Sequence, residues 1–86
     1  MARYDVLFTR SARKELERFP PRIAGKVLRR IEALGEDPRP TGCRKLTGAD
    51  DLWRIRIGDY RVLYEIRDEK LLVDILAIRH RSEAYR

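Results

Sequence analysis

The alternation of apolar and polar positions divides the chain into one strand, two helices and three further strands. Tyr4, Val6 and Phe8 alternate as a half-buried strand should. Ala12, Leu16 and Phe19 then recur at helical spacing, behind Thr9 or Ser11, either of which can cap the helix. Pro20-Pro21 ends that helix, and Pro21 suits the first position of the next. The second helix carries the stripe Ile23, Val27, Ile31, Leu34, with Gly35 placed to stop it and Arg22, Lys26, Arg29 and Arg30 on its other face. The segment 37–42 is dense in turn formers and reads as a loop. Beyond it, strands are predicted near 52–57, 60–66 and 70–79, joined by a tight hairpin turn at Gly58-Asp59 and a weaker turn at Asp68-Glu69. There is no internal repeat, linker or low-complexity tract.

The first turn pairs Ile57 with Tyr60, Ile55 with Val62 and Trp53 with Tyr64. If Asp68-Glu69 also closes a two-residue loop, Ile66 meets Leu71, Tyr64 meets Val73 and Val62 meets Ile75. One sheet face is then wholly apolar or aromatic, and the two amphipathic helices are its only cover. The expected architecture is a single α+β domain over residues 1–86. On the opposite face this register collects Leu52, Arg54, Arg56, Arg61, Leu63, Glu65, Lys70, Leu72, Asp74, Leu76, Ile78 and His80. Arg56 and Arg61 stand directly across from each other there, an arrangement that destabilises a sheet unless an anion is bound. Glu65 and Asp74 could instead neutralise the cluster locally. Leu63, Leu72, Leu76 and Ile78 leave that face partly apolar, which calls for a partner segment or the C-terminal tail.

Composition sharpens this picture. The 86 residues suffice for one small core, so function is expected on a surface or in a shallow groove. No apolar run approaches the roughly 18 residues of a membrane span, and Met1 is followed by no secretory signal, so a cytoplasmic protein is expected. Cys43 alone makes neither a disulfide nor a metal site. Twenty Lys+Arg against fourteen Asp+Glu give a net charge of +6, and only four of the twenty are lysine. Arginine's rigid fork of donors matches phosphate, although an arginine-rich surface is equally what a GC-rich genome produces. Position therefore decides, and position puts arginines beside a hairpin tip.

Three segments carry a family resemblance: Leu46-Thr47-Gly48, the run from Trp53 to Tyr64, and His80-Arg81-Ser82-Glu83-Ala84-Tyr85. With 12–16 and 37–40 in the helical half, they closely resemble the RelE/ParE toxin superfamily over nearly the whole chain. The resemblance implies two N-terminal helices packed on one face of a four-stranded, mainly antiparallel sheet. It implies the toxin of a type II toxin–antitoxin pair, bound by a cognate antitoxin protein through which the complex binds its operator DNA. RelE-like members enter the A site of the 70S ribosome and cut mRNA without a metal or other cofactor. ParE-like members inhibit DNA gyrase and cleave nothing, and an inactive toxin retained as a regulator is a third possibility.

Metal-free RNA cleavage needs a base for the ribose 2′-OH, cations for the pentavalent phosphate and an acid for the leaving 5′-oxygen. By the resemblance, Arg54 and Arg56 occupy paired basic positions that are lysines in RelE. Arg61 matches a phosphate-binding arginine, and Tyr85 a C-terminal tyrosine. A further arginine falls on Arg79 counted back from Tyr85 and on Arg81 counted forward from Arg61. Arginine is a poor proton shuttle because its pKa exceeds about 12. His80 or Tyr85 is therefore the expected acid/base; His80 is the one side chain that ordinarily titrates near neutrality, and its parity places it on the arginine face.

Overall fold

Thr9 starts the first helix by accepting the Ala12 N–H on its hydroxyl, and its extended backbone marks the boundary with the strand before it. In the computed structural model, which describes residues 3–46, 48 and 51–80, the elements are β1 (Asp5–Phe8), α1 (Arg10–Glu17) and α2 (Pro21–Ala33), then β2 (Arg44–Lys45), β3 (Leu52–Ile57), β4 (Tyr60–Arg67) and β5 (Leu72–His80). Pro21 is the first residue of α2, where its missing N–H costs nothing. The strands form one sheet in the order β1-β5-β4-β3-β2, parallel between β1 and β5 and antiparallel elsewhere. Both helices cover one face. Ala12, Val27, Ile31 and Leu34 close over Ile55, Ile57, Val62, Tyr64, Ile66, Val73, Ile75 and Ile78.

The sheet has five strands rather than the expected four. The extra strand, Arg44–Lys45, pairs with Arg54 and Trp53, and two polar residues leave no alternation to read. Gly35 also acts differently from a left-handed cap, since it keeps a negative φ. Its missing side chain lets β1 approach: the Tyr4 N–H donates to its carbonyl at 2.7 Å, and a Cβ there would lie 2.9 Å from the Tyr4 oxygen.

The hairpin at Gly58-Asp59 has the expected register, with Gly58 at φ 59° and Arg56 opposite Arg61. The next connection does not. Instead of a two-residue loop, the chain makes a 3₁₀ turn over Asp68–Lys70 and places Leu71 at φ 50°, a turn pinned from outside by Arg39 and Tyr4 on the Asp68 carboxylate. Arg67 then faces Leu72 and Tyr64 faces Ile75, two residues displaced from the expected pairing. A bulge follows between Leu63 and Tyr64 of β4, where Leu63 meets Ala77 and Leu76 is skipped. One extra residue reverses the parity of everything beyond it. Ile78, expected on the arginine face, is instead 1% exposed in the core. His80 moves to the helix side, its ring edge-on to Tyr60 at 5.2 Å.

Candidate functional site

The same bulge brings Arg79 onto the face that His80 leaves. Arg56, Arg61 and Arg79 are direct cross-strand neighbours on β3, β4 and β5. Strands lie about 4.8 Å apart, so the three α-carbons span roughly 10 Å. Beside this row runs a second, in which Arg44 of β2 faces Arg54 of β3, followed by Leu63 and Ala77. Three like-charged pairs thus stand opposite one another, each costing on the order of a few tenths of a kcal/mol in a sheet without an anion.

Among the described residues, the two acids of this face, Glu65 and Asp74, stand away from the row. Glu65 and Asp74 pair with each other at the far end of β4 and β5, and Glu65 takes a 2.7 Å ion pair from Arg67. Four residues of strand separate Arg61 from Glu65, about 13 Å, which exceeds the screening length of roughly 8 Å at physiological salt. The face is therefore split into an acidic end and an arginine end.

Arg79 is positioned from outside the sheet. β1 stops pairing at Phe8, leaving the outer edge of β5 bare from Leu76 onward. The beginning of α1 closes that edge. The Thr9 hydroxyl donates to the Leu76 carbonyl at 3.0 Å, and one Glu15 oxygen accepts the Ile78 N–H at 3.1 Å. The other Glu15 oxygen accepts from the Arg79 guanidinium. Arg56 is tethered more weakly, its Nε reaching the Gly58 carbonyl at 3.4 Å.

Of the seven expected site residues, Arg54, Arg56, Arg61 and Arg79 share one face. His80 lies on the opposite face, and Arg81 and Tyr85 fall outside the described residues. Sequence reasoning missed Arg44, because a two-residue strand has no signature, and Glu15, because only the fold brings α1 to the end of β5. Trp53 and Tyr64 pair on the core face as expected, Tyr64 buried and Trp53 half-buried, and the Tyr64 hydroxyl donates to the Pro38 carbonyl at 2.8 Å. Burial pushes the Tyr64 hydroxyl well above its ordinary pKa, with Cys43 adding to the effect, so it is a neutral structural donor. Away from the site, Arg39 grips Asp68 with two hydrogen bonds while Tyr4 donates to it, and these contacts hold the carboxyl down at about 2.

A small basic domain with two helices on one face of a mixed five-stranded sheet and a row of arginines across the other has the architecture of the small α+β toxins. The particular family is shown by comparison. The pattern of the ParE toxin of type II toxin–antitoxin systems matches residues 6–85, and the chain belongs to that family. It is 39% identical to toxin RelG of Mycobacterium tuberculosis, over 96% of this chain and 97% of that one. It is 29% identical to the mRNA interferase toxin RelE of Escherichia coli, over 95% and 90%. The fold superposes with a TM-score of 0.81 on a chain of the RelBE2 toxin–antitoxin complex of M. tuberculosis, at 36% identity, covering 92% of this chain and 99% of that one. These relatives place it on the RelE-like branch. No helix among the described residues is long and apolar enough to cross a membrane.

Proposed function

We propose that the protein is a ribosome-dependent mRNA interferase that cleaves the strand lying in the A site. The observation that supports this reading is the row Arg56–Arg61–Arg79, three arginines placed side by side across β3, β4 and β5 on the sheet face away from the helices. In the proposed reaction the ribose 2′-oxygen attacks the adjacent phosphorus, the P–O5′ bond breaks, and a 2′,3′-cyclic phosphate and a 5′-hydroxyl form. Arg61, flanked by Arg56 and Arg79, stabilises the charge that grows on the non-bridging oxygens, and Arg54 holds the neighbouring backbone. Arginine does not shuttle protons at neutral pH, so the acid/base role falls to a non-arginine group. His80 faces Tyr60 and not the row, which favours Tyr85 for that role. Arg79 is preferred to Arg81 as the C-terminal arginine because of its place in the row.

The names of the relatives support the reading, since one is called an mRNA interferase and another is solved with its antitoxin. By the same support, a cognate antitoxin is the proposed partner, with operator binding through it, and the cytoplasm is the proposed location. Primer extension on a defined mRNA, held on 70S ribosomes with an open A site, tests the activity. New 5′ ends within the A-site codon are expected. Arg61→Ala should lower the single-turnover rate by about 100-fold or more. The family description names ParE, which favours gyrase inhibition as the second reading. A folded, growth-arresting protein that leaves mRNA intact and blocks DNA supercoiling would establish that reading instead.

A further inference from the structure

β2 covers β3 only at Trp53 and Arg54, so among the described residues no strand lies beside the outer edge of β3 from Ile55 to Ile57. A cleft of about 330 Å³ lies against this bare edge, lined by Arg30 of α2, Thr41, Gly42, Arg44 of β2, and Arg54, Ile55 and Arg56 of β3. Four arginines from three elements meet there, and among the described residues no acid lines the cleft. Among the described residues Arg30, Arg44 and Arg54 form no ion pair with a carboxylate. Lys26 precedes Arg30 by one helical turn, about 6 Å along α2, and its Nζ lies 3.8 Å from the position a Gly58 Cβ would take. The flank of the molecule from the hairpin tip to β2 is thus a track of cations, with Asp59 at its tip end.

Solvated arginines repel and spread apart, whereas these are drawn around one concavity by three separately folded elements. An anion is the ligand that relieves this arrangement. A helical peptide would need apolar anchor pockets, and among the described residues Ile55 is the one large apolar side chain in the lining; an extended peptide on the β3 edge would have to bring carboxylates to meet four arginines. The cleft also shares Arg54 and Arg56 with the arginine face, so a strand leaving that face runs directly into it.

We propose that this cleft seats a second backbone phosphate of the same RNA strand, with Arg30 and Arg44 as its contacts beyond the cleavage row. The assignment rests on the RNA-directed reading above and gives the site a footprint wider than one phosphodiester. Its test is binding, independent of cleavage. An all-2′-O-methyl RNA oligonucleotide cannot supply the 2′-OH nucleophile, and its affinity can be followed by fluorescence anisotropy across a salt series. Each phosphate contact on a single strand contributes about 0.7 to the slope of log affinity against log salt. Arg30→Gln/Arg44→Gln should therefore flatten the slope by about 0.7, a roughly fivefold smaller loss of affinity per decade of salt.

Arg10→Gln/Arg13→Gln removes the same charge from exposed positions on α1, at the other edge of the sheet, and should leave the slope near the wild-type value. An equal drop in both variants would reduce the effect to net charge and overturn the proposal. An unchanged slope would overturn it too, as would an unchanged slope with lost affinity for an acidic protein partner. Wild-type protein that does not bind the oligonucleotide at all would refute it as well. If the slope falls as expected but no A-site cleavage is found, the cleft stands and the interferase reading fails. If cleavage is found with the slope intact, the reverse holds. Circular dichroism melts that match wild type confirm that the variants fold.

Discussion

Replacing Glu15 separates two jobs done by one carboxylate. One oxygen accepts the Ile78 N–H at the end of β5, where β1 no longer supplies a partner, and the other holds Arg79. Glu15 is 18% exposed at its side chain and Arg79 is 42% exposed. The ion pair, half in solvent, contributes at most a few tenths of a kcal/mol to about 1. The hydrogen bond from a part-buried backbone N–H to a charged acceptor contributes about 1.5–3 kcal/mol. Glu15→Ala should thus cost about 2 kcal/mol, which for a domain of this size lowers Tm by roughly 8–16 °C. Glu15→Gln keeps an acceptor for the N–H and should cost under about 1 kcal/mol. Urea unfolding with an unchanged m-value would measure both, and a double-mutant cycle with Arg79→Ala isolates the pair. The reasoning fails if Gln is as damaging as Ala, because the backbone contact would then not be the dominant one. It also fails if Ala costs less than about 0.5 kcal/mol, which would mean the β5 edge finds water without penalty.

Gly35→Ala should destabilise by about 1–3 kcal/mol in the same unfolding assay, because its Cβ would meet the Tyr4 carbonyl at 2.9 Å and the Glu32 carbonyl at 3.2 Å, neither of them a flexible side chain. Leu71→Gly should raise stability by about 0.5 kcal/mol: it relieves a φ of 50°, and the residue is 40% exposed, so little burial is lost, though glycine's freedom in the unfolded chain offsets part of the gain. Asp68 gives a pH signature. Its carboxyl is held at about 2 by Arg39 and Tyr4, so its contribution is present above the ordinary carboxylate range near 4 and disappears as pH falls towards 2. The difference in urea midpoint between wild type and Asp68→Asn should be constant above about pH 5, shrink as pH falls, and lose its charge-dependent part below about pH 2.

The helices and the first hairpin were legible because strong local signals agreed with the tertiary structure. Pro21 and the Ile23–Leu34 stripe set α2, and Gly58 alone fixes the pairing of Arg56 with Arg61. The end of β5 is assigned the wrong face for a reason equally local. A perfect alternation carried from Leu72 to His80 puts Ile78 and His80 among the arginines, yet Ile75-Leu76-Ala77-Ile78 is four apolar residues in succession. Such a run cannot alternate between a core and a charged face. The chain resolves it by skipping Leu76 at the bulge, which buries both Ile75 and Ile78. Burial of Ile78 is what turns the next side chain, Arg79, outward. The arginine row is thus a consequence of core packing, since burial of a side chain such as isoleucine stabilises by about 1.5–3 kcal/mol, more than a facing pair of arginines costs. Strand parity decides which groups join the arginine row, and here a hydrophobic residue sets the parity. Removing the bulge would exchange Arg79 for His80 on the arginine side of the sheet without changing the composition of the strand.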